Sequence, residues 1–166
     1  MTSIRMAGPT SRKSKSNASD ATAHAWERAV RLLTARDRSE QEIRDRLAAD
    51  KIPAAVIAAT VRRLRQLRYV DDRRFAHSAA EHARRRGHGS ERVRAELAAK
   101  GIGESLIDEA VLTVFTDETA LARLALARRY PTDALEPAAR AKAARFLLRL
   151  GFPEAVVSTV LGDEVC

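Results

Sequence analysis

An internal offset of 50 residues constrains this chain more than any other feature of its sequence. Leu47, Leu97 and Leu147 fall in register, followed by Ile52, Ile102 and Phe152. Two further columns follow: Val56, Leu106 and Val156, then Ile57, Ile107 and Val157. Between the first two columns stand Lys51, Gly101 and Gly151. Self-similarity at a fixed period marks a repeat architecture, in which each copy is one supersecondary unit. Glycine suits the residue just past a helix because it takes the left-handed conformation without a Cβ penalty, so Lys51 carries a modest local cost. The expectation is an all-α chain of three tandem three-helix repeats, with 24–70, 71–116 and 117–166 as the copies.

Helical periodicity fills in each copy. Trp26, Val30 and Leu33 recur at i, i+4 and i+7, the spacing of one helix face. Ser39-Glu40-Gln41-Glu42 reads as a capping box, in which serine and the third residue after it satisfy each other's backbone N–H groups. A third helix follows from about Pro53 through Leu64. At the join of copies one and two, Asp71 as N-cap places Val70 and Phe75 at hydrophobic-staple spacing, and Asp72 complements the dipole of the first turn. Copy two is expected as helices near 72–86, 90–100 and 104–115, with a Gly87-His88-Gly89 turn. Copy three is expected near 118–129, from Pro137, and over 153–161. Residues 1–23, including the polar, basic run Ser11 to Asn17, show no apolar periodicity and are read as a disordered basic tail.

Composition excludes several classes. No segment approaches the roughly 18 apolar residues of a membrane span, and no apolar h-region follows the first basic residues, so a cytoplasmic protein is expected. The one cysteine, Cys166, rules out an internal disulfide and a cysteine-built metal site. His77, His82 and His88 are five and six residues apart, spacings that do not share a helix face, so no metal is expected. No phosphate-binding glycine loop and no nucleophile elbow occurs, and Asp71-Asp72 is explained by capping. Neither an enzyme nor a cofactor is expected.

Positive charge is the chemical asset that remains. With 30 Lys+Arg against 22 Asp+Glu, the net charge is +8. Arg84-Arg85-Arg86 ends the first helix of copy two, with Arg73 and Arg74 at its start and Arg92, Arg94 and Lys100 on the next helix. Arg62, Arg63, Arg65 and Arg68 crowd the third helix of copy one. Interleaved Glu81, Glu91, Glu96 and Glu109 make many surface ion pairs of small value possible. The clusters suit phosphates or a partner's carboxylates, and the seven aromatics mostly fall on apolar columns or staples.

The run Leu64-Arg65-Gln66-Leu67-Arg68-Tyr69-Val70-Asp71-Asp72-Arg73-Arg74-Phe75-Ala76 resembles the central signature of the RecX family of recombination regulators. Residues 85–102 resemble the family's next segment, and Ser39 through Leu47 its first-repeat opening; the likeness covers about residues 25–160 and thins in the third copy. The resemblance implies an elongated, curved array of three-helix units. Such an array would bind the RecA nucleoprotein filament on single-stranded DNA and restrain its ATPase, strand-exchange and co-protease activities. Single- or double-stranded DNA is a further partner it implies, and a monomer is expected. On the matched positions, Arg74, Arg85, Arg86, Arg92, Arg94 and Lys100 are the candidates for filament or DNA contact. Asp71, Asp72, Phe75, Gly101 and Gly151 are assigned to structure. The competing reading is a basic helical module that binds DNA without RecA.

Overall fold

One left-handed turn design recurs at Lys51, Arg68, Gly87, Gly101 and Gly151, and three of these turns stand 50 residues apart. Lys51, Gly101 and Gly151 have φ of 58°, 73° and 85°, all left-handed. At each, the N–H of this residue donates to the carbonyl three back, and the next N–H to the carbonyl five back: Ile52 to Leu47, Ile102 to Leu97, Phe152 to Leu147. This double bond closes the end of a helix and starts the chain toward the next one. The computed structural model describes residues 11–130 and 137–162, with side chains from residue 19 onward.

Among the described residues the chain is all-helical, with no strand. It divides into two compact units, Met1–Val70 and Asp71–Cys166. The first holds α1 (Ser11–Ala35), α2 (Glu40–Ala49) and α3 (Ala54–Gln66). Their core joins Ala25, Ala29 and Leu32 of α1 to Ile43 and Leu47 of α2 and to Ile57, Val61 and Leu64 of α3. The capping box at α2 is present: the Glu42 N–H donates to Ser39 Oγ at 3.1 Å, and the Ser39 N–H to Glu42 Oε2 at 3.2 Å. Arg36 adds a 2.6 Å bond to the same carboxylate. Pro53 stands one residue ahead of α3, as its N-cap.

Helix α1 starts at Ser11, inside the stretch 1–23 expected to be disordered; residues 1–10 of that stretch lie outside the described residues. The reason is propagation. Once buried Ala25 and Ala29 fix the helix against α2 and α3, each residue added upstream costs only its own two dihedrals and gains a hydrogen bond. Amphipathic periodicity is not needed for such an extension, so the sequence upstream of Ala25 carries no apolar stripe to mark it.

The second unit holds α4 (Asp72–Arg85), α5 (Ser90–Ala99), α6 (Glu104–Val114), α7 (Glu118–Arg129), α8 (Pro137–Leu150) and α9 (Glu154–Leu161). Asp71 caps α4 by accepting from the Arg74 N–H at 3.0 Å. Two cores form. One gathers Ala76, Ala80 and Ala83 with Val93, Leu97, Ile102, Ile107 and Val111; the other gathers Ala122, Ala143, Leu147, Phe152, Val157 and Leu161. Across the chain the columns behave alike: the Leu47, Ile52 and Ile57 columns are buried, and the Val56 column is half-buried.

The two halves of this unit lock at the start of α5. Gly89, its N-cap, makes no side-chain cap. Instead the Gly89 N–H donates to the Leu150 carbonyl at 2.9 Å, and the Glu91 N–H to the Gly151 carbonyl at 3.0 Å. Glu118, in the first turn of α7, accepts from the Ser90 N–H at 2.6 Å and from its hydroxyl at 2.8 Å. The backbones meet so closely that a Cβ on Gly89 would lie 2.3 Å from the Gly151 oxygen, and one on Gly151 2.4 Å from Arg92 Cβ.

Candidate partner-binding surface

Helix α4 sorts its residues by face. Ala76, Ala80 and Ala83 recur at i, i+4 and i+7 and are buried, so Arg73, Arg74, His77, Arg84 and Arg85 turn outward and are exposed. Small buried side chains line the face that α4 packs against α5 and α6, with Phe75 half-buried beside them and the arginines left in water. Arg84 and Arg85 fall in the last turn and Arg86 at the C-cap, where the helix dipole favours cations.

The six candidate cations separate into two groups. Arg74, Arg85 and Arg86 are exposed and form no ion pair among the described residues. Arg74 borders a cleft of about 340 Å³ with His77, Ser78, Leu106 and Thr113, beside the Arg73–Glu109 pair at 3.1 Å. The other three are engaged within the unit. Arg92 bonds Glu96 one turn on at 3.0 Å, and Arg94 reaches Asp108 on α6. Lys100 holds its ammonium 5.1 Å from the ring centroid of Phe75, a cation–π contact. Such exposed pairs are worth about 0–1 kcal/mol, so a stronger partner can open them.

The structural positions also separate. Asp71 caps α4, with Asp72 in its first turn, and Phe75 packs half-buried against the first core of its unit. Gly101 and Gly151 make the left-handed turns, and Gly151 has the additional close approach to Arg92. His88, half-buried beside this lock, has its pKa lowered from 6.5: burial disfavours the cation first, and Arg92 and Arg86 add repulsion. Glu96 opposes the shift weakly, and His82 adds to it. No group of three or more His, Cys, Asp or Glu among the described residues is placed to hold a metal ion. No helix among them is long and apolar enough to cross a membrane.

In the first unit the arginines of α3 are less bare than their sequence suggests. Arg65 lies 3.7 Å from Glu40, and Arg63 stacks its guanidinium 4.4 Å from the Trp26 ring centroid. Tyr69, 52% exposed, completes this group with its ring 6.1 Å from that of Trp26. Two cations that the sequence argument passed over are Arg128 and Arg129, at the end of α7 and close to Arg84, Arg85 and Arg86. The signal was present: α4 and α7 both end in an Arg-Arg pair.

Residues 25–64 match the family model described as RecX, first three-helix domain, and residues 71–111 match RecX, second three-helix domain. Regulatory protein RecX of Chromohalobacter salexigens is 37% identical over 124 residues, spanning 75% of this chain and 82% of that protein. The chain belongs to the RecX family. Another RecX regulatory protein, from Levilactobacillus brevis, is 44% identical over 106 residues, which is 61% of this chain and only 38% of the relative's length. The crystal structure of RecX from Lactobacillus salivarius shares the fold, with a TM-score of 0.76 over 87% of this chain and 97% of that one at 21% identity. Both matched RecX domains contain capped helices described above: Ser39 lies in the first, and Asp71 opens the second.

Proposed function

We propose that this chain binds the RecA recombinase filament on single-stranded DNA and restrains its ATPase, strand-exchange and co-protease activities, without catalysing a reaction of its own. The observation that carries the reading is membership of a family whose relatives are named regulatory proteins. The outward face of α4 supports it, with Arg74, Arg85 and Arg86 offered to an acidic surface or to phosphates. Arg92, Arg94 and Lys100 are a second set of contacts, released from Glu96, Asp108 and Phe75 when the partner arrives. The nine described helices are read as three tandem repeats, 24–70, 71–116 and 117–166, in an elongated, curved array acting in the cytoplasm as a monomer. Such a protein acts by binding one filament state better than another, and its effect is bounded by that difference in affinity.

The test is RecA's single-stranded-DNA-dependent ATP hydrolysis, titrated with this protein well below the RecA concentration. Inhibition at those ratios is expected, together with its loss in an Arg85→Glu/Arg86→Glu variant of unchanged helicity and melting temperature. Inhibition only at concentrations that coat the DNA would favour the RecA-independent DNA-binding module, with a steep salt dependence as its mark. A variant as active as the parent would reduce the α4 arginines to an ordinary solvated face.

A further inference from the structure

The C-terminal ends of α4 and α7 meet α8 around a concavity of about 450 Å³. Its floor is apolar: Leu121, Leu124 and Ala125 of α7 with Phe146 and Leu150 of α8. Leu124 is 51% exposed, a large apolar side chain left in water. The rim is cationic on both sides, with Arg84, Arg85 and Arg86 from α4 facing Arg128 and Arg129 from α7. Among the described residues no carboxylate lines it. Among the described residues Arg84 alone of the five has an ion pair, with Glu81 at 3.4 Å.

Helix dipoles account for arginines at two helix ends. They do not account for the ends converging, for the apolar floor that the described residues leave open between them, or for five arginines with a single ion pair, Arg84 to Glu81, among the described residues. A ring of one sign over a low-dielectric floor concentrates its field on whatever enters. We propose that this concavity docks an acidic amphipathic helix of a partner protein, one or two large apolar side chains entering the floor while flanking Asp or Glu pair with the arginine rim. Apolar anchors at i, i+3 or i+4 and i+7 are how a helix reads such a groove, and forked guanidinium–carboxylate pairs orient it. A nucleic-acid strand fits less well. Strand-binding grooves present successive exposed aromatic faces, whereas the floor is mostly aliphatic and its one aromatic, Phe146, is half-buried and edge-on to Tyr130 at 6.0 Å. The proposal rests on the proposed function only in taking the partner to be a protein, and deepens it by naming the chemistry of the segment that partner supplies.

The experiment titrates the full chain, methyl-labelled at leucine, with a synthetic helical peptide carrying Leu at i, i+4 and i+7 and Glu between. Saturable shifts are expected for Leu121, Leu124 and Leu150, and affinity is expected to fall about tenfold in Leu124→Glu and in Arg128→Glu/Arg129→Glu. Equal binding of a peptide with Ser in place of Leu would overturn the proposal, since charge alone would then suffice. So would absence of saturable shifts at these leucines, or an oligo-dT strand that shifts them more tightly than the peptide. The titration contains no RecA. A silent peptide beside intact ATPase inhibition therefore sinks the docking site alone, and a bound peptide beside a chain that leaves RecA unaffected sinks the filament reading alone.

Discussion

Replacing Gly89 with alanine isolates the lock between the two halves of the α4–α9 unit. At φ −84° the backbone of Gly89 suits any residue, so the substitution brings no conformational penalty, and its effect is steric. The added methyl would stand 2.3 Å from the Gly151 oxygen, 2.4 Å from its carbonyl carbon and 2.4 Å from the Phe152 nitrogen, all backbone. Backbone cannot step aside as a side-chain tip can, so α5 must withdraw. Withdrawal strains the bonds from Gly89 to Leu150 and from Glu91 to Gly151, at roughly 1 kcal/mol each, and the charge-assisted pair from Ser90 to Glu118, at about 2 kcal/mol. A loss of roughly 2–4 kcal/mol is expected. Urea denaturation followed by circular dichroism measures it, with two internal controls. Gly103→Ala, at φ −67° with nothing within 4 Å of the new methyl, should cost at most about 0.5 kcal/mol, since alanine's lower unfolded-state entropy offsets its poorer fit at an N-cap, the position Gly89 also holds. Gly87→Ala, equally open but at φ +77°, should cost about 1 kcal/mol for its left-handed backbone alone. If Gly89→Ala falls within about 0.5 kcal/mol of Gly103→Ala, the close approach does not hold the unit together.

Three further outcomes follow from local chemistry. Lys51→Gly should stabilise the chain by roughly 0.5–1 kcal/mol, because lysine occupies a φ of 58° that glycine takes freely; a lower melting temperature would contradict this. Ser39→Ala removes the oxygen that caps the Glu42 N–H and should cost about 1 kcal/mol in the same denaturation assay. His88 gives a pH signature. Its folded pKa lies below its unfolded value of 6.5, so the unfolded chain binds the proton more readily, and the associated stability is complete above pH 6.5 and is lost as pH falls through the folded pKa. The melting temperature should therefore fall on acidification by more in the parent than in His88→Gln, and parallel curves would remove His88 as the cause.

What could be read from the sequence is what is local or periodic. Ser39 and Asp71 announce their caps because cap and capped N–H lie three residues apart. The Leu47 and Ile52 columns announce burial because the same turn recurs at a spacing of 50 residues. Arg92 with Glu96 was legible as an i, i+4 pair, while Arg94 with Asp108, fourteen residues on and across two helices, was not. Glu118 shows the limit most clearly. Its acidic position in a first turn has a sufficient local explanation in the dipole, and nothing near it in sequence points to Ser90, 28 residues earlier. Likewise Gly89 and Gly151 read as turn formers, and only their packing reveals that the absent side chains are what bring two backbones together. The cationic rim eluded the sequence argument for the same reason, since its two arms come from helices far apart in the chain.

The lock at α5 also sets a timetable for synthesis. Helices α1 to α3 find every cap and core partner described here within their own unit, so they can settle once that stretch has emerged from the ribosome. Helix α5 cannot, because the acceptors for its first N–H groups are Glu118, Leu150 and Gly151. About 50 residues must still be translated after α5 itself, a delay of roughly 3–10 s at bacterial-scale elongation rates of about 5–20 residues per second. During that interval the nascent second half presents the bare start of α5 to the cell, which makes it the stretch where a chaperone or a protease would first find a hold.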